Sequence, residues 1–258
     1  MTDKVKNSFD ASYPQPVEWA RELLSGAKNV FVFTGAGISA ESGIPTYRGA
    51  GKGFWDGLRV ADWATPQGFA RNPEGVWDWY CRRRVQLGSV RPNPGHEALA
   101  QLQRRIAGSG GSFTLATQNI DGLHQTAGTE NVLELHGSLL AVRCSDCSYA
   151  ETVGPVALDS PACPECGSRL RPDVVWFGEM LPQDTWRAAE QAASECDLLL
   201  VVGTSAVVYP AAGLIETALA GGARSIEVNP EPNGFSGLMN VSIRGKSGEV
   251  LPQLLGYR

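Results

Sequence analysis

Two Cys-x-x-Cys pairs are the first feature of this sequence with recognisable chemistry. Cys144 and Cys147 form one pair, and fifteen residues later Cys163 and Cys166 form the second. This spacing is typical of a zinc site with four cysteine ligands. Four thiolates complete the tetrahedral coordination of zinc and leave no position for water, so we predict a structural site. A redox role is the alternative, but two matched pairs favour zinc.

A glycine-rich turn follows the first apolar segment of the chain. Gly35, Gly37 and Ala40 fit the pattern G-x-G-x-x-G/A of turns that bind the diphosphate of a dinucleotide. We expect Gly35 to permit a sharp bend, Gly37 to let the backbone approach the diphosphate, and Ala40 to allow close helix packing. The amides at the start of the following helix would face the phosphates. A glycine turn without a ligand is the alternative. No strand with an acidic end follows about twenty positions later, which argues against a conventional dehydrogenase.

Polar side chains follow a second apolar segment. Gln118, Asn119 and Asp121 come directly after it and would lie at the carboxyl end of a sheet, where open α/β folds bind ligands. Amide and carboxylate groups there can hold a ribose or a carboxamide. Capping of a helix is the alternative for these side chains.

The sequence contains three histidines. We expect His96, which opens a predicted helix, to cap that helix, and His124 to be structural. His136 follows a predicted strand and should lie at the same ligand-binding edge. Because a neutral imidazole is a suitable general base near neutral pH, His136 is the candidate catalytic base.

Short apolar segments alternate with amphipathic ones along the chain. The predicted strands are 30–33, 113–116, 132–135, 198–202 and 226–228, and the predicted helices are 17–24, 96–106, 185–193 and 211–219. This alternation predicts an α/β fold with a doubly wound parallel sheet. Residues 45–94 and 144–171 interrupt the alternation and are expected to pack together as a second, smaller domain.

Composition limits the classes of protein to which the chain can belong. It has 258 residues, of which 43% are hydrophobic and 19% charged, as in an ordinary soluble globular protein. The net charge of −5 argues against a general nucleic-acid binder. Neither a secretory signal nor a membrane span is evident. We therefore expect a cytoplasmic monomer that binds neither nucleic acid nor membranes.

Taken together, these segments resemble the sirtuins, the family of NAD-dependent protein deacylases. The matching segments appear in the family's order: 35–45, 117–121, 136–138, the two cysteine pairs, 174–179, 203–205 and 228–229. The resemblance implies a Rossmann-type NAD-binding domain of residues 13–45, 95–140 and 180–258. It also implies a small domain of residues 46–94 and 141–179, with a helical module and a zinc module. NAD and acyl-lysine would meet between the two domains.

The resemblance also implies roles for single residues, with catalysis by His136 and Asn119. The residues implied to bind NAD are Gly35, Ala36, Gly37, Ala40, Arg48, Gln118, Asn119, Ile120, Asp121, Gly203, Thr204, Ser205, Asn229 and Ser247. The residues implied to bind the substrate are Tyr80, Arg83, Val175, Phe177, Gly178, Glu179 and Tyr209. Residues 174–179 would form a strand that pairs with the substrate backbone. The family's reaction consumes NAD, releases nicotinamide and transfers the acyl group to ADP-ribose without hydride transfer.

Tyr80 and Arg83 are three residues apart and would share one face of a helix. The pair resembles the Tyr-x-x-Arg pair of sirtuins that remove succinyl, malonyl and glutaryl groups. Arginine can hold the carboxylate that ends these acyl chains, while acetyl groups should also be removed. We expect the neighbouring Arg82 and Arg84 to be solvated.

Two other functions use some of the same features. Mono-ADP-ribosyl transfer would share the NAD site and the cleavage of the glycosidic bond. An NAD-sensing or zinc-ribbon interaction module would need no catalysis, but Asn119, Asp121 and His136 weigh against it.

Overall fold

The computed structural model describes residues 16–46 and 60–256. Arg48 lies outside these residues. The strands are β1 Asn29–Thr34, β2 Ser112–Thr117, β3 Leu133–Glu134, β4 Gly137–Cys144, β5 Ala150–Thr152, β6 Leu170–Val174, β7 Leu198–Val202, β8 Arg224–Val228 and β9 Val241–Ile243. The α-helices are α1 Pro16–Gly26, α2 Val60–Trp63, α3 Pro66–Arg71, α4 Pro73–Leu87, α5 Pro94–Gly108, α6 Leu123–Thr126, α7 Gln183–Glu195, α8 Gly213–Ala220 and α9 Ser247–Leu255. Short 3-10 helices span Ala36–Ser42 and Ser236–Leu238.

Six strands form a parallel sheet in the order β3-β2-β1-β7-β8-β9. Successive side chains of β1 enter different cores, because side chains alternate across a strand. Val30 and Val32 pack in a cluster with residues of α1, α5 and α9. Phe31 and Phe33 pack in a second cluster with residues of α7 and α8. Helices therefore cover both faces, which confirms the predicted doubly wound α/β fold.

The elements at the carboxyl end of the chain differ most from the sequence prediction. Strand β9 and helix α9 were not predicted, although α9 packs in the same core as α5. Strand β9 has three residues, and α9 contains Pro252, which interrupts a helical pattern. Strand β3 is reduced to two residues.

Among residues 16–46 and 60–256, no helix is long and apolar enough to cross a membrane.

A separate antiparallel sheet has the order β5-β4-β6. It carries the cysteine pairs at one end and packs against α4. Trp77 of α4 lies in one buried cluster with Cys144, Cys163 and Leu170. The helical segment and the cysteine segment thus contribute to one buried cluster.

The four cysteine sulfurs are close enough to bind one metal ion. All four lie within 4.8 Å of one another. The Sγ atoms of Cys144 and Cys166 are 3.5 Å apart, and those of Cys147 and Cys163 are 3.6 Å apart. A tetrahedral zinc ion with Zn–S bonds of about 2.3 Å places its sulfurs about 3.8 Å apart. The cluster therefore fits a structural zinc ion.

Arg84 corrects one expectation of the sequence analysis. It was expected to be solvated, yet its side chain is fully buried. Trp77, Tyr80 and Arg84 share the buried face of α4, and the Arg84 Nε donates a hydrogen bond to the carbonyl oxygen of Leu139 at 2.9 Å. The guanidinium thereby joins α4 to β4. Arg82 is exposed, as expected.

The turn after β1 packs directly on the end of β7. The Gly37 amide donates to the Gly203 carbonyl oxygen at 2.7 Å, and a Cβ on Gly37 would lie 2.7 Å from that oxygen. Gly35 has an extended backbone, and a Cβ on it would meet the Thr204 side chain at 2.8 Å. The close contact with the residues that follow β7 therefore requires glycine at both positions, whereas the predicted approach of Gly37 to a diphosphate stays a prediction. Ala40 is exposed, so helix packing does not explain its small size.

Replacing Gly203 should destabilise the protein strongly. Gly203 has a φ of +60°, and a Cβ there would lie 2.3 Å from the Ile38 amide nitrogen. We expect Gly203→Ala to lower the free energy of unfolding by at least about 2 kcal/mol, measured by urea denaturation. Gly213→Ala is the control, since no heavy atom lies within 4 Å of the added carbon. Equal stability of the two variants would contradict this packing.

Cys163→Ser should release the metal and loosen the small sheet, because binding of structural zinc contributes directly to folding. Metal analysis should give about one zinc per wild-type chain and less in the variant. Hydrogen exchange should accelerate in residues 144–170. Cys81→Ser is the control, because Cys81 packs against the buried cluster that contains Cys144 and Cys163 but is not one of the four clustered cysteines that could bind the metal. A zinc-free wild-type protein of full stability would refute the assignment.

Candidate active site

A cavity of about 1170 Å³ lies at the carboxyl ends of the parallel strands. Residues that follow β1, β2, β7 and β8 line one side of it, and residues that follow β6 line the other. Tyr80 of α4 also lines it. The cavity thus lies where open α/β sheets bind ligands and where the small sheet meets the large one.

Most residues that the sequence analysis selected line this cavity. From the NAD set, the lining includes Gly35, Ala36, Gly37, Ala40, Gln118, Asn119, Ile120, Gly203, Thr204, Ser205 and Asn229. From the other sets, it includes His136, Tyr80, Val175, Phe177, Gly178, Glu179 and Tyr209. Asp121, Ser247 and Arg83 lie in the described part of the chain but do not line the cavity.

His136 lies between β3 and β4 and is half-buried in the cavity wall. Its Nδ1 lies 3.0 Å from the Gln118 carbonyl oxygen. Since a carbonyl oxygen can only accept, Nδ1 carries the proton and Nε2 keeps its lone pair. Burial lowers the pKa of His136, although the Gln118 carbonyl opposes this effect. The imidazole is therefore neutral near pH 7 and able to accept a proton.

Asn119 is fixed by hydrogen bonds behind the cavity surface. Its Nδ2 donates to the Gly35 carbonyl oxygen at 3.2 Å and to the Ser39 hydroxyl at 3.1 Å. The Ser39 hydroxyl donates in turn to Asp121 at 2.7 Å. Asp121 is buried, and this burial raises the pKa of its carboxyl group. Asp121 therefore supports Asn119 through Ser39, a residue whose role the sequence analysis missed because only the folded chain brings it to Asn119.

His96 and His124 are structural, as expected. Nδ1 of His96 accepts from the Asn93 amide in a capping box at the start of α5. Burial lowers the pKa of His96 to about 4 and lowers the pKa of His124 well below its ordinary value. Nε2 of His124 hydrogen-bonds to the Thr34 hydroxyl at 3.0 Å. Neither ring lines the cavity.

Thr204 joins the ends of three strands. Its hydroxyl accepts a hydrogen bond from the Gln118 side chain at 2.8 Å, and its carbonyl oxygen accepts from Asn229 at 3.0 Å and from Asn233 at 3.1 Å. These residues follow β2, β7 and β8. The cavity wall on this side is therefore one connected set of polar groups.

Residues 174–179 form a turn instead of the expected strand. Only Val174 belongs to β6, and Gly178 has a φ of +90°. Glu179 folds back and accepts hydrogen bonds from the Trp176 amide at 2.8 Å and from Arg171 at 2.5 and 2.9 Å. The pairing of this carboxylate with Arg171 lowers the pKa of Glu179 despite the opposing effect of burial. This local network closes the turn.

Tyr80 and Arg83 of α4 have different surroundings. Tyr80 is buried, and its hydroxyl accepts a hydrogen bond from the Trp176 Nε1 at 3.0 Å. Arg83 is half-buried, and its guanidinium carbon lies 3.3 Å from the centre of the Trp79 ring. The structure thus places the tyrosine in the cavity wall and the arginine against an indole.

Glu41 and Lys246 also line the cavity and were missed by the sequence analysis. Glu41 accepts a hydrogen bond at 2.7 Å from the Gly248 amide at the start of α9. Lys246 precedes α9 and pairs with Glu249 at 3.5 Å. Because β9 and α9 were not predicted, the sequence analysis did not expect Lys246 at the cavity, and it gave Glu41 no role although Glu41 lies in the matching segment 35–45.

Known proteins resemble this chain along most of its length. The model of the Sir2 family matches residues 35–210. An NAD-dependent protein deacylase of Thermus thermophilus is 51% identical over 239 residues, which are 93% of this chain and 94% of the relative. A solved complex of a Sir2 homolog with NAD is 43% identical, has a TM-score of 0.85, and is matched over 93% of this chain and 92% of its own. A solved Sir2 mutant with a deacetylated p53 peptide and 3′-O-acetyl ADP-ribose is 32% identical, with a TM-score of 0.82 and coverage of 93% and 97%. This chain belongs to the Sir2 family.

Proposed function

We propose that this protein is an NAD-dependent protein-lysine deacylase that releases nicotinamide and transfers the acyl group to ADP-ribose. The observation that carries the proposal is the neutral His136 in the wall of a cavity at the strand ends, near Asn119. The proposal is supported by relatives that are named NAD-dependent protein deacylases and are similar over more than nine-tenths of this chain.

His136 acts as the general base in this proposal. Its Nδ1 proton is held by the Gln118 carbonyl, so Nε2 is the nitrogen that removes a proton from a ribose hydroxyl. The amide oxygen of the acyl-lysine has by then displaced nicotinamide from C1′ of the ribose, so the deprotonated hydroxyl oxygen attacks the resulting imidate carbon, and the lysine amine leaves. Burial keeps the imidazole uncharged until it receives that proton. Asn119, fixed by Gly35 and Ser39, orients the nicotinamide end of NAD.

The rest of the cavity suits NAD as a substrate. Its volume of about 1170 Å³ exceeds the roughly 300–1,000 Å³ of ordinary small-molecule sites, so NAD and an acyl-lysine side chain have room together. Amide groups of Gln118, Asn119 and Asn229 line the wall and can recognise ribose hydroxyls and a carboxamide. Two exposed aromatic residues of the lining, Phe177 and Tyr209, offer apolar surface to the lysine stem.

The choice of acyl group is the finer part of the proposal. We assign removal of succinyl, malonyl and glutaryl groups to Tyr80 and Arg83, with acetyl groups also accepted. Tyr80 supports this assignment because it lines the cavity and its hydroxyl is held by a hydrogen bond from Trp176. Arg83 lies one helical turn further along α4, with its guanidinium stacked against Trp79.

Replacing His136 should abolish deacylation while the protein still binds NAD and zinc. His136→Asn keeps a donor for the Gln118 carbonyl but lacks a basic nitrogen. With NAD and an acyl-peptide, we expect the variant still to release nicotinamide but to form little free lysine. The rate of deacylation should fall about 100-fold or more. NAD binding by calorimetry and zinc content should remain.

In the wild-type enzyme, the acidic limb of kcat/KM should have its midpoint below the ordinary histidine pKa of about 6.5. Burial lowers the pKa of His136, so the imidazole stays neutral, and able to act as a base, at lower pH than an ordinary histidine.

Retained deacylation by His136→Asn would show that another group is the base. Mass spectrometry of the acylated peptide should show loss of the acyl mass, whereas a gain of ADP-ribose would identify a transferase.

Arg83→Met should reduce desuccinylation far more than deacetylation. Hydrogen bonds to a charged group contribute about 1.5–3 kcal/mol, which corresponds to roughly 10–100-fold in kcat/KM for the succinyl peptide. Arg82→Met is the matched control, because Arg82 is exposed on the same helix. Rates on acetyl and succinyl peptides of identical sequence provide the comparison. An equal loss on both peptides would refute the role of Arg83.

A further inference from the structure

The loop of residues 229–232 lines the cavity directly after β8. Two of its four residues are Pro230 and Pro232, which have no amide proton to donate. The Asn229 amide donates to the Ile243 carbonyl oxygen at 3.2 Å, which fastens the start of the loop. Hydrogen bonds that hold the rest of the loop must therefore be accepted mainly by its carbonyl groups. The donor for these bonds has to come from another segment of the chain.

Arg244, immediately after β9, supplies that donor. Its Nη1 lies 3.4 Å from the Asn229 carbonyl oxygen and 3.3 Å from the Glu231 carbonyl oxygen. Arg244 does not line the cavity itself. One planar guanidinium thus contacts both ends of a three-residue stretch of the loop.

A buried carboxylate fixes the orientation of this guanidinium. Nη2 of Arg244 donates to Glu227 at 2.8 Å, and the side chain of Glu227 is 0% exposed. The same carboxylate accepts hydrogen bonds from Ser236 and Ser242, each at 2.9 Å. A buried carboxylate requires a cation and hydrogen-bond donors, so Arg244 is held in place by the core as well as by the loop.

We infer that Arg244 is a positioning residue for NAD, anchored by Glu227 and acting through the 229–232 loop. This inference rests on the proposed function, because it takes the cavity to bind NAD. The alternative is that the Arg244–Glu227 pair only stabilises β8 and β9. The two roles predict different NAD affinities for a variant in which the charge of Glu227 is removed together with Arg244.

The first test compares Arg244→Met with the wild-type enzyme. We expect the NAD dissociation constant, measured by calorimetry, and KM for NAD to rise about tenfold. KM for the acyl-peptide and kcat at saturating NAD should stay within about twofold, because the only cavity-lining residues that Arg244 contacts belong to the 229–232 loop. Arg224→Met is the control, since Arg224 is exposed at the opposite end of β8.

The double variant Arg244→Met/Glu227→Gln separates positioning from stability. Removing the buried charge should restore much of the thermal stability that Arg244→Met loses, whereas NAD affinity should stay about tenfold weakened. Glu227→Gln alone keeps the two contacts of Arg244 with the loop and should weaken NAD binding less than Arg244→Met does.

Two results would overturn the inference: NAD affinity within twofold of wild type in Arg244→Met, or recovery of NAD affinity together with stability in the double variant. Failure of the proposed function would look different. The wild-type protein would then bind NAD without releasing nicotinamide in the presence of acyl-peptides, and the calorimetric comparison of the variants would still decide the role of Arg244.

Discussion

The backbone of Gly37 lies against that of Gly203 where β1 and β7 end, and the wall of the cavity is built around this contact. The amide-to-carbonyl distance of 2.7 Å leaves no room for a side chain on either residue. The next residue, Thr204, then receives hydrogen bonds from Gln118 and Asn229. The same Gln118 holds His136 through its carbonyl group. The candidate base and the strand ends thus share one chain of contacts that begins at the two glycines.

Electrostatics near the candidate base follow from burial rather than from charge pairs. Burial lowers the pKa of all three histidines, which favours their neutral forms, and raises the pKa of Asp121 above its ordinary value. Of the three acidic residues in the cavity lining, Glu41 is engaged at the start of α9, Glu179 is paired with Arg171, and Glu231 lies in the loop after β8. The hydrogen-bond partner of His136 is a carbonyl oxygen rather than a carboxylate, which suits a base that must gain a proton during the reaction, since a carboxylate partner would hold that proton too firmly.

Local sequence patterns could predict the features that depend on neighbours in sequence. The strands at the centre of the sheet, the cysteine cluster and the place of His136 follow from apolar runs and spacing. Features that depend on distant segments could not be predicted. The burial of Arg84 requires β4 opposite α4, and the role of Ser39 requires Asn119 and Asp121 to meet it. The turn at 175–179 is closed by the hydrogen bond from Arg171 to Glu179. Helix α9 contains Pro252, which interrupts the helical pattern of its sequence.

The position of Arg83 bears on how narrow the proposed acyl preference can be. A guanidinium stacked on an indole gains about 0.5–2 kcal/mol, depending on its exposure. Hydrogen bonds to a carboxylate contribute about 1.5–3 kcal/mol. Stacking on Trp79 does not prevent the guanidinium from donating to a carboxylate in its own plane, so both contributions can act together on an acidic acyl group. An acetyl group leaves the stacked arginine undisturbed and meets no uncompensated charge. The same geometry that supports removal of acidic acyl groups therefore also favours tolerance of acetyl-lysine.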